Sequence, residues 1–180
     1  GTKLYTLDGL ETRPTLDRVK ESLFNIIFNE ITDSTVLDLF SGSGAIGLEF
    51  ASRGAKKVYL CDKSKDACNI IKKNIEKTHL EEKVELINSD FVKAIRDLKN
   101  KKIDIVYLDP PYKTDFIKIA IEELLKTENL TEDTLLIVET DEEERIINQM
   151  EKIKGIEIAD KRKYGRAYIL FLKKINGKEE

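Results

Sequence analysis

Strand and helix patterns alternate along the chain from residue 35 onward. Short runs of β-branched and aliphatic residues predict strands, and the segments between them carry apolar residues at helical spacing. Such alternation predicts parallel strands, because a parallel connection needs a crossover. Residues 156–164 and 167–173 instead alternate apolar and polar residues around Gly165-Arg166, which indicates an antiparallel hairpin. The sequence therefore predicts a Rossmann-like, doubly wound α/β fold with a mostly parallel, seven-stranded sheet and an antiparallel C-terminal hairpin.

Before the alternating part, residues 1–14 are predicted to be irregular or extended. A helix with Thr15 as its N-cap follows, and its apolar positions recur at helical spacing as far as Ile31. This helix precedes the alternating units, so we expect it to cover one edge of the sheet. No linker or repeat interrupts the chain, which predicts a single domain over residues 1–180, with a leading segment and helix (1–34) and a catalytic core (35–180).

Composition restricts the classes of function. The chain has 180 residues, of which 41% are hydrophobic and 36% are charged, as in a globular domain with one core. No apolar run approaches the ~20 residues that span a bilayer, and no signal peptide is visible. Cys61 and Cys68 form no metal-binding motif with His79, the only histidine. These observations predict a cytoplasmic monomer without a metal or a membrane partner, and the net charge of −3 leaves nucleic-acid contacts to a local patch.

A glycine-rich turn joins the first predicted strand to the helix after it. Its sequence, Gly42-Ser43-Gly44-Ala45-Ile46-Gly47, matches G-x-G-x-x-G. Asp62 follows about twenty residues later, where an acidic residue accepts hydrogen bonds from ribose hydroxyls. This spacing fits either NAD or S-adenosylmethionine.

Acidic residues at the strand ends bear on the choice between these cofactors. A carboxylate at Asp38, just before the turn, would repel a pyrophosphate but suit the ammonium and sulfonium groups of S-adenosylmethionine. Asp90 follows the third strand as an acceptor for an adenine amino group, and Phe91 offers an apolar face beside it. An acidic residue at the end of each of the first four strands is a pattern that packing does not require. Together these residues favour S-adenosylmethionine.

The fourth predicted strand, Ile103–Leu108, ends in Asp109-Pro110-Pro111-Tyr112. Ligands of open α/β sheets bind at the carboxyl ends of the strands. Two successive prolines fix φ and remove two backbone donors, so we expect the carbonyls of this segment to accept from a ligand. A carboxylate buried here would cost free energy unless it had a partner. The tetrapeptide therefore predicts a site for a planar group with an NH2, with acceptors at its edge and an aromatic ring on its face.

The stretch from Val36 to Gly44, together with the segment from Asp109 to Tyr112, resembles the class I S-adenosylmethionine-dependent amino-methyltransferases. The segment from Arg13 to Ile26 is similar, more narrowly, to the first helix of the bacterial 16S rRNA guanine-N2 methyltransferases. The likeness extends to Tyr164-Gly165 in the predicted hairpin. Members of that family usually begin with a basic β-hairpin, and here residues 1–4 resemble its tail.

The resemblance implies transfer of a methyl group from S-adenosylmethionine to N2 of one guanine in 16S rRNA, free or within a small ribosomal subunit, as in the enzymes that act on guanine 966. Asp109 and the Pro110 carbonyl would each accept an N2 hydrogen, and Tyr112 would stack on the displaced base. The implied catalytic residues are Asp109, Pro110, Pro111 and Tyr112. The implied cofactor-binding residues are Arg13, Asp38, Phe40, Ser41, Gly42, Ser43, Gly44, Asp62, Lys63, Asp90 and Phe91.

Basic residues in two places are predicted to contact RNA. The densest cluster, Lys161-Arg162-Lys163 with Arg166, surrounds Tyr164 in the predicted hairpin. Cations mixed with an aromatic ring are typical of a surface that binds RNA. Arg13 and Arg18 are predicted to contact the cofactor carboxylate or an RNA phosphate, and a solvated pair is the alternative. The resemblance favours a functional role for both.

Three other functions share parts of these motifs. A DNA adenine-N6 methyltransferase would use the same tetrapeptide, but no segment is left over to form its target-recognition region. An NAD-dependent oxidoreductase fits the glycine spacing but leaves Asp38 and the tetrapeptide unexplained. A non-catalytic RNA-binding protein that retains the fold is the third alternative.

Overall fold

The computed structural model describes residues 3–7, 9–10 and 14–176, and for residues 9, 10 and 14–17 it describes the backbone alone. Arg13 lies outside the described residues. The described strands include a seven-stranded, mostly parallel sheet with an antiparallel C-terminal hairpin, which confirms the predicted Rossmann-like α/β fold. The chain divides into two compact units, residues 1–90 and 91–180, and each is described by itself below. The organisation into one domain with a boundary at residue 34 stays a prediction.

The first unit contains the glycine-rich turn. Its strands β3, β4 and β5 are parallel with β4 in the middle, and β3 and β4 are mostly buried, whereas β5 is partly exposed. Ser64 caps the helix after β4, where its hydroxyl accepts a hydrogen bond from the backbone N–H of Ala67. The elements of this unit, in chain order, are β1 (Tyr5–Thr6), β2 (Gly9–Leu10), α1 (Pro14–Ile26), a short 3-10 helix (Phe28–Glu30), β3 (Thr35–Asp38), α2 (Ala45–Ser52), β4 (Lys57–Asp62), α3 (Lys65–Thr78) and β5 (Val84–Asn88).

The beginning of the chain differs from the prediction at one position. Strands β1 and β2 form an antiparallel pair, in which Tyr5 lies opposite Leu10, and such strands agree with the extended conformation predicted as one possibility for residues 1–14. Helix α1 begins at Pro14, and Thr15 is therefore inside the helix and not its N-cap. Proline suits the first helical position, where no backbone N–H is needed.

Helix α1 packs against α2. The Phe24 ring meets the Phe50 ring edge-on at 4.7 Å between centroids, and both side chains are fully buried. An ion pair joins Lys20 to Glu49 at 3.4 Å, and the Arg53 guanidinium lies 4.8 Å from the centre of the Phe24 ring. These contacts place α1 against α2, and the cover of a sheet edge by α1 stays a prediction.

The second unit carries the Asp109–Tyr112 segment and the terminal hairpin. Strands β6 and β7 are parallel, and β9 is antiparallel to both β7 and β8, in the order β6-β7-β9-β8. This arrangement confirms the predicted hairpin. The elements, in chain order, are α4 (Phe91–Asp97), β6 (Ile105–Leu108), α5 (Phe116–Lys126), β7 (Leu135–Thr140), α6 (Glu143–Glu151), β8 (Ile156–Tyr164) and β9 (Ala167–Lys174).

Gly47 lets helix α2 approach strand β4 closely. A Cβ added at Gly47 would lie 2.0 Å from Leu60 Cδ2 and 3.2 Å from Val58 Cγ1, and both neighbours are fully buried. We therefore expect Gly47→Ala to lower the free energy of unfolding by about 1–3 kcal/mol, despite the better helix propensity of alanine. Urea denaturation followed by circular dichroism measures this change.

Ser52→Ala is the matched control for that substitution, because Ser52 is exposed at the end of the same helix. We expect it to change the free energy of unfolding by less than about 0.5 kcal/mol. A Gly47→Ala variant as stable as the wild-type protein would contradict the close approach of α2 to β4.

Candidate functional site

The glycine-rich turn between β3 and α2 is shaped by left-handed glycines. Gly42 has a φ of +59° and Gly44 a φ of +84°, a region that L-residues with a side chain rarely adopt. No atom lies within 4 Å of a Cβ placed at Gly42, so the turn is open at this point, whereas a Cβ placed at Gly44 would lie 3.3 Å from Leu60 Cδ1. The N–H of Gly44 donates to the Ser41 carbonyl at 2.8 Å, which closes the turn. The turn thus presents backbone on its outer side and packs on its inner side.

Asp62, at the end of β4, holds this turn. One carboxylate oxygen accepts from the Gly42 N–H at 2.9 Å, and the other accepts from the Ser64 N–H at 2.9 Å. The prediction that Asp62 serves ribose hydroxyls is incomplete, because both oxygens also position backbone. A carboxylate has about four lone-pair sites, so a ligand hydroxyl can still donate to Asp62. Asn88 supports the same corner by donating to the backbone carbonyl of Asp62 at 3.1 Å.

Asp38 is buried beneath the turn. Its side chain is 1% exposed, and the Phe40 N–H lies 3.4 Å from one carboxylate oxygen. Burial raises the pKa of this carboxyl to about 7, hydrogen bonds from Phe40 and Ser41 oppose that rise, and the nearby charge of Asp62 adds to it. This pKa lies close to neutral pH, so the charge of the group is sensitive to its surroundings there. A cation bound near the turn would favour its ionised form, whereas a phosphate would not.

The other predicted cofactor residues of the first unit differ in their exposure. Lys63 and Asp90 are exposed, and Phe40 is half-buried. Ser41 is buried, and its hydroxyl donates to the Asp38 carbonyl at 3.0 Å. Phe91 belongs to the second unit, where its ring packs 5.0 Å from that of Phe116.

The Asp109–Tyr112 segment leaves the second unit's sheet directly after β6. Asp109 is exposed, so the free-energy argument for a buried carboxylate does not apply to it and applies to Asp38 instead. The Pro111 carbonyl accepts from the Thr114 hydroxyl at 3.1 Å, and it is thus not reserved for a ligand as predicted. Asp109 is an exposed residue at the end of a buried strand.

Tyr112 projects from this segment with 73% of its surface exposed. Partial burial raises the pKa of its phenol, and the carboxylates of Asp141, Asp109 and Glu139 raise it further, which keeps the hydroxyl protonated. An exposed ring on a proline-stiffened segment can stack on a planar ligand at little entropic cost. The surrounding carboxylates suit a ligand edge that carries N–H donors.

Arg145 of α6 anchors the segment, and sequence reasoning missed it. Its guanidinium donates to the Thr114 carbonyl at 2.9 Å, to Asp115 at 2.5 Å and to Glu142 at 3.1 Å. Together with the prolines and Tyr112, it lines a cleft of about 280 Å³, open mouth included. Arg145 lies 31 residues from Thr114 and 30 from Asp115, which both precede α5, so no local sequence pattern predicts the contact.

Asn74 of α3 is the second residue that sequence reasoning missed. It is fully buried on the apolar face of the helix, and its side chain bonds both Tyr5 and Ser43. The only available signal was an asparagine at a position where helical spacing from Ile71 predicts an apolar residue. Such a position usually marks a polar group with fixed partners.

The basic cluster of the hairpin is partly neutralised. Lys161 pairs with Glu143 at 3.0 Å and Arg162 with Asp160 at 3.0 Å. Lys163 lies 5.8 Å from the centre of the Tyr168 ring, and Arg166 is exposed in the turn. Arg18 is also exposed, on α1. The structure therefore brings the four hairpin cations together on one ribbon but lowers its net charge.

The cysteines are poorly suited to bind a metal. Cys61 and Cys68 are both buried, and burial raises the pKa of Cys61 to about 12, so its thiol is protonated. Across residues 3–7, 9–10 and 14–176, no three His, Cys, Asp or Glu residues are grouped to hold a metal ion. Nor does any helix in these ranges have the length and apolar character to cross a membrane.

Several known proteins with similar sequences are named as ribosomal RNA methyltransferases. The family described as "Conserved hypothetical protein 95" matches residues 1–173. Ribosomal RNA small subunit methyltransferase D of Haemophilus influenzae is 38% identical over 82% of this chain and 77% of its own length. The rRNA methyltransferase YlbH of Bacillus subtilis, whose assignment is provisional, is 30% identical over 97% of this chain and 94% of its own.

Solved structures agree with these relatives. An Escherichia coli protein assigned as a methyltransferase aligns over 97% of this chain and 92% of its own, with a TM-score of 0.79 and 26% identity. A Haemophilus influenzae protein assigned as a methylase aligns over 91% and 100%, with a TM-score of 0.76 and 32% identity. From the family match, the identity to these relatives and the shared fold, the chain belongs to the family of the ribosomal RNA small subunit methyltransferases D.

Proposed function

We propose that this protein transfers a methyl group from S-adenosylmethionine to the exocyclic N2 of a guanine in small-subunit ribosomal RNA. The observation that carries the proposal is the pair of carboxylates at the glycine turn: Asp62 bonds its backbone and Asp38 lies buried beneath it. Negative charge at this point disfavours the pyrophosphate of NAD and favours a cationic ligand. The relatives named as rRNA methyltransferases support the same reading.

The residues of the turn fit S-adenosylmethionine, which supplies a methyl group activated on a sulfonium. Gly42 offers open backbone, Asp62 offers lone pairs for hydroxyls, and Asp38 offers a carboxyl that ionises readily when a cation approaches. Asp90 and Phe91 complete the proposed set as an acceptor and an apolar surface for the adenine. The proposal also includes residues of the loops that follow β3 and β4: Phe40, Ser41, Ser43, Gly44 and Lys63. Arg13 is proposed as a partner of the cofactor carboxylate.

Asp109 and Pro110 act on the guanine in this proposal. The lone pair of the guanine N2 is delocalised into the ring, which makes it a poor nucleophile. The Asp109 carboxylate and the Pro110 carbonyl would each accept one N2 hydrogen. These two hydrogen bonds would direct the lone pair out of the ring plane. Tyr112 would hold the displaced base by stacking, and Pro111 would stiffen the segment. Holding the base in this orientation contributes much of the catalysis of an in-line displacement.

The proposed partner is 16S rRNA, either free or within a small ribosomal subunit. Lys163 and Arg166 are the strongest proposed phosphate contacts of the hairpin, because Lys161 and Arg162 have acidic partners. Exposed ion pairs are worth at most about 1 kcal/mol, so Lys161 and Arg162 can exchange those partners for phosphates. Arg18 is proposed as a further contact. The proposal includes a cytoplasmic monomer that needs no metal.

Labelled-methyl transfer tests the proposal. We expect labelled S-adenosylmethionine to modify small ribosomal subunits or rRNA from a strain that lacks this methyltransferase, with the label at a guanine N2. DNA offered in parallel should take up none. Calorimetry should show binding of S-adenosylmethionine and no binding of NAD. Incorporation into DNA alone would show an adenine methyltransferase, and binding of NAD alone would show an oxidoreductase; either result contradicts the proposal.

A further inference from the structure

We infer that Asn74 is a positioning residue that ties the N-terminal strand β1 to the glycine turn, so that a ligand held by the turn also orders β1. This inference rests on the proposed function only for the identity of that ligand. The buried carboxamide of Asn74 has hydrogen-bond partners in two distant parts of the chain. Tyr5 lies 69 residues before Asn74, and Ser43 lies 31 residues before it.

The contacts to Tyr5 imitate a strand partner. The Asn74 side-chain oxygen accepts from the Tyr5 N–H at 2.7 Å, and its nitrogen donates to the Tyr5 carbonyl at 2.9 Å. A residue in an antiparallel strand exchanges the same two hydrogen bonds with its neighbour. Asn74 therefore extends the β1–β2 pair on the side of Tyr5 that faces α3.

The contact to the glycine turn uses the remaining donor. The second N–H of the Asn74 amide donates to the Ser43 carbonyl at 2.8 Å. Ser43 lies between Gly42 and Gly44, whose left-handed φ angles define the turn. The reverse orientation of the amide would set its oxygen against two carbonyl oxygens, so the network fixes the orientation. Both donors and one acceptor position of a fully buried group are thus satisfied.

Because β1 and the glycine turn share Asn74 as a hydrogen-bond partner, order in one is coupled to order in the other. Asn74 lies on a helix, so its position is fixed by the packing of α3, and both partners must meet it there. A ligand that restrains the turn keeps the Ser43 carbonyl in place and thereby keeps the carboxamide in the orientation that β1 requires. By linkage, ordering of β1 strengthens ligand binding by the same factor. Lys77, one helical turn further on, contacts the Tyr5 ring at 4.7 Å but has no hydrogen bond to the turn among the described contacts.

Hydrogen exchange of the full-length protein tests the inference, with S-adenosylmethionine as the probe. Without ligand, Asn74→Ala should speed exchange of the Tyr5 amide and of the Gly44 amide by about tenfold or more, the equivalent of one lost hydrogen bond. In the wild-type protein, the ligand should slow exchange at both amides. In Asn74→Ala it should slow exchange at Gly44 but leave Tyr5 unprotected, and its affinity should fall about five- to tenfold.

Two further variants keep the test decisive. Asn74→Leu preserves the branched shape and removes both donors and the acceptor without leaving a cavity or burying a charge, so it should behave as Asn74→Ala does and serves if the alanine variant fails to fold. Lys77→Ala, the matched control on the same helix, should retain the ligand-dependent protection of Tyr5, because a merely structural contact with β1 does not involve the turn. Loss of that protection in Lys77→Ala would place the coupling in general packing and overturn the role of Asn74.

The possible failures are distinguishable. If S-adenosylmethionine binds but leaves Tyr5 exchange unchanged in the wild-type protein, the coupling is wrong and the proposed function stands. If Asn74→Ala leaves exchange of both amides unchanged without ligand, the tie itself is wrong. If the wild-type protein does not bind S-adenosylmethionine while Asn74→Ala still loosens both amides, the proposed function is wrong and the tie stands.

Discussion

Replacement of Asp109 by alanine is expected to lower the rate of methyl transfer by at least about 100-fold, while the affinity for S-adenosylmethionine changes by less than about twofold. The reason is the position of Asp109. It is exposed directly after the buried strand β6, with Tyr112 three residues on, and it has no place in the glycine turn of the first unit. Single-turnover rates on small ribosomal subunits and calorimetry with S-adenosylmethionine measure the two quantities separately.

Two further variants, a control and a conservative substitution, allow that result to be interpreted. Asp133→Ala replaces an equally exposed aspartate in the loop before β7 and should retain wild-type rates. Asp109→Asn preserves an acceptor oxygen but cannot take a proton. A loss as large as that of Asp109→Ala would indicate that Asp109 takes the proton, whereas a loss of only about tenfold would indicate that accepting a hydrogen bond is its main role. Wild-type turnover by Asp109→Ala would remove Asp109 from the catalytic residues.

Asp38 should make the stability of the ligand-free protein depend on pH. Its pKa is about 7 when folded and 3.8 when unfolded, so between these values the folded state binds more protons than the unfolded state. The contribution of Asp38 to stability is therefore fully present below about pH 4 and is lost as the pH rises through 7, by an amount on the order of a few kcal/mol. Asp38→Asn lacks this ionisation, so its stability relative to the wild-type protein should rise over that range.

The same ionisation should appear in cofactor binding. A bound cation favours the charged form of Asp38, so binding releases a proton below pH 7, and the affinity of the wild-type protein for S-adenosylmethionine should rise with pH up to about 7. Asp38→Asn should bind about tenfold or more weakly at pH 8 and lose most of that rise. Urea titrations and calorimetry at pH 5, 6, 7 and 8 measure both effects. A pH dependence of affinity that persists in Asp38→Asn would show that another group is responsible.

The control for Asp38 is Asp90→Asn, because Asp90 is an exposed aspartate at the margin of the same unit. Its replacement should change the free energy of unfolding by less than about 0.5 kcal/mol at each pH, as is usual for an exposed residue. A change in the pH profile of this variant equal to that of Asp38→Asn would show that charge at the strand ends in general, and not burial of Asp38, governs the effect.

The carboxylates near Tyr112 bear on how the protein selects its target base. Asp109 and Pro110 would accept any exocyclic NH2, so they do not distinguish guanine from adenine. Around Tyr112 the structure adds the carboxylates of Glu139 and Asp141, which affect the pKa of its phenol. Guanine presents N–H donors at both N1 and N2, whereas adenine has an acceptor at N1. An acidic surrounding is therefore consistent with guanine as the target.

Sequence alone determined the local features of this protein. The alternation of strand and helix patterns, the glycine turn, the capping by Ser64 and the terminal hairpin are all encoded within a few residues, because hydrophobic periodicity and turn chemistry act over that distance. The family resemblance likewise depended on contiguous residues, namely the segments Arg13–Ile26 and Asp109–Tyr112. The family match confirms that resemblance. The prediction was wrong at an element boundary. Thr15 was predicted as the N-cap of α1, but the helix begins at Pro14, because a proline can occupy the first helical turn.

Tertiary structure decided which of these residues have partners. Asp38 is buried and Asp109 is exposed although both lie at the ends of strands, because burial depends on what packs over a strand and not on the strand itself. The anchoring of the Tyr112 segment by Arg145 and the tie from Asn74 to Tyr5 and Ser43 join residues about 30 to 70 positions apart. A side-chain hydrogen bond acts over about 3 Å, and only the folded chain brings such distant groups within that range.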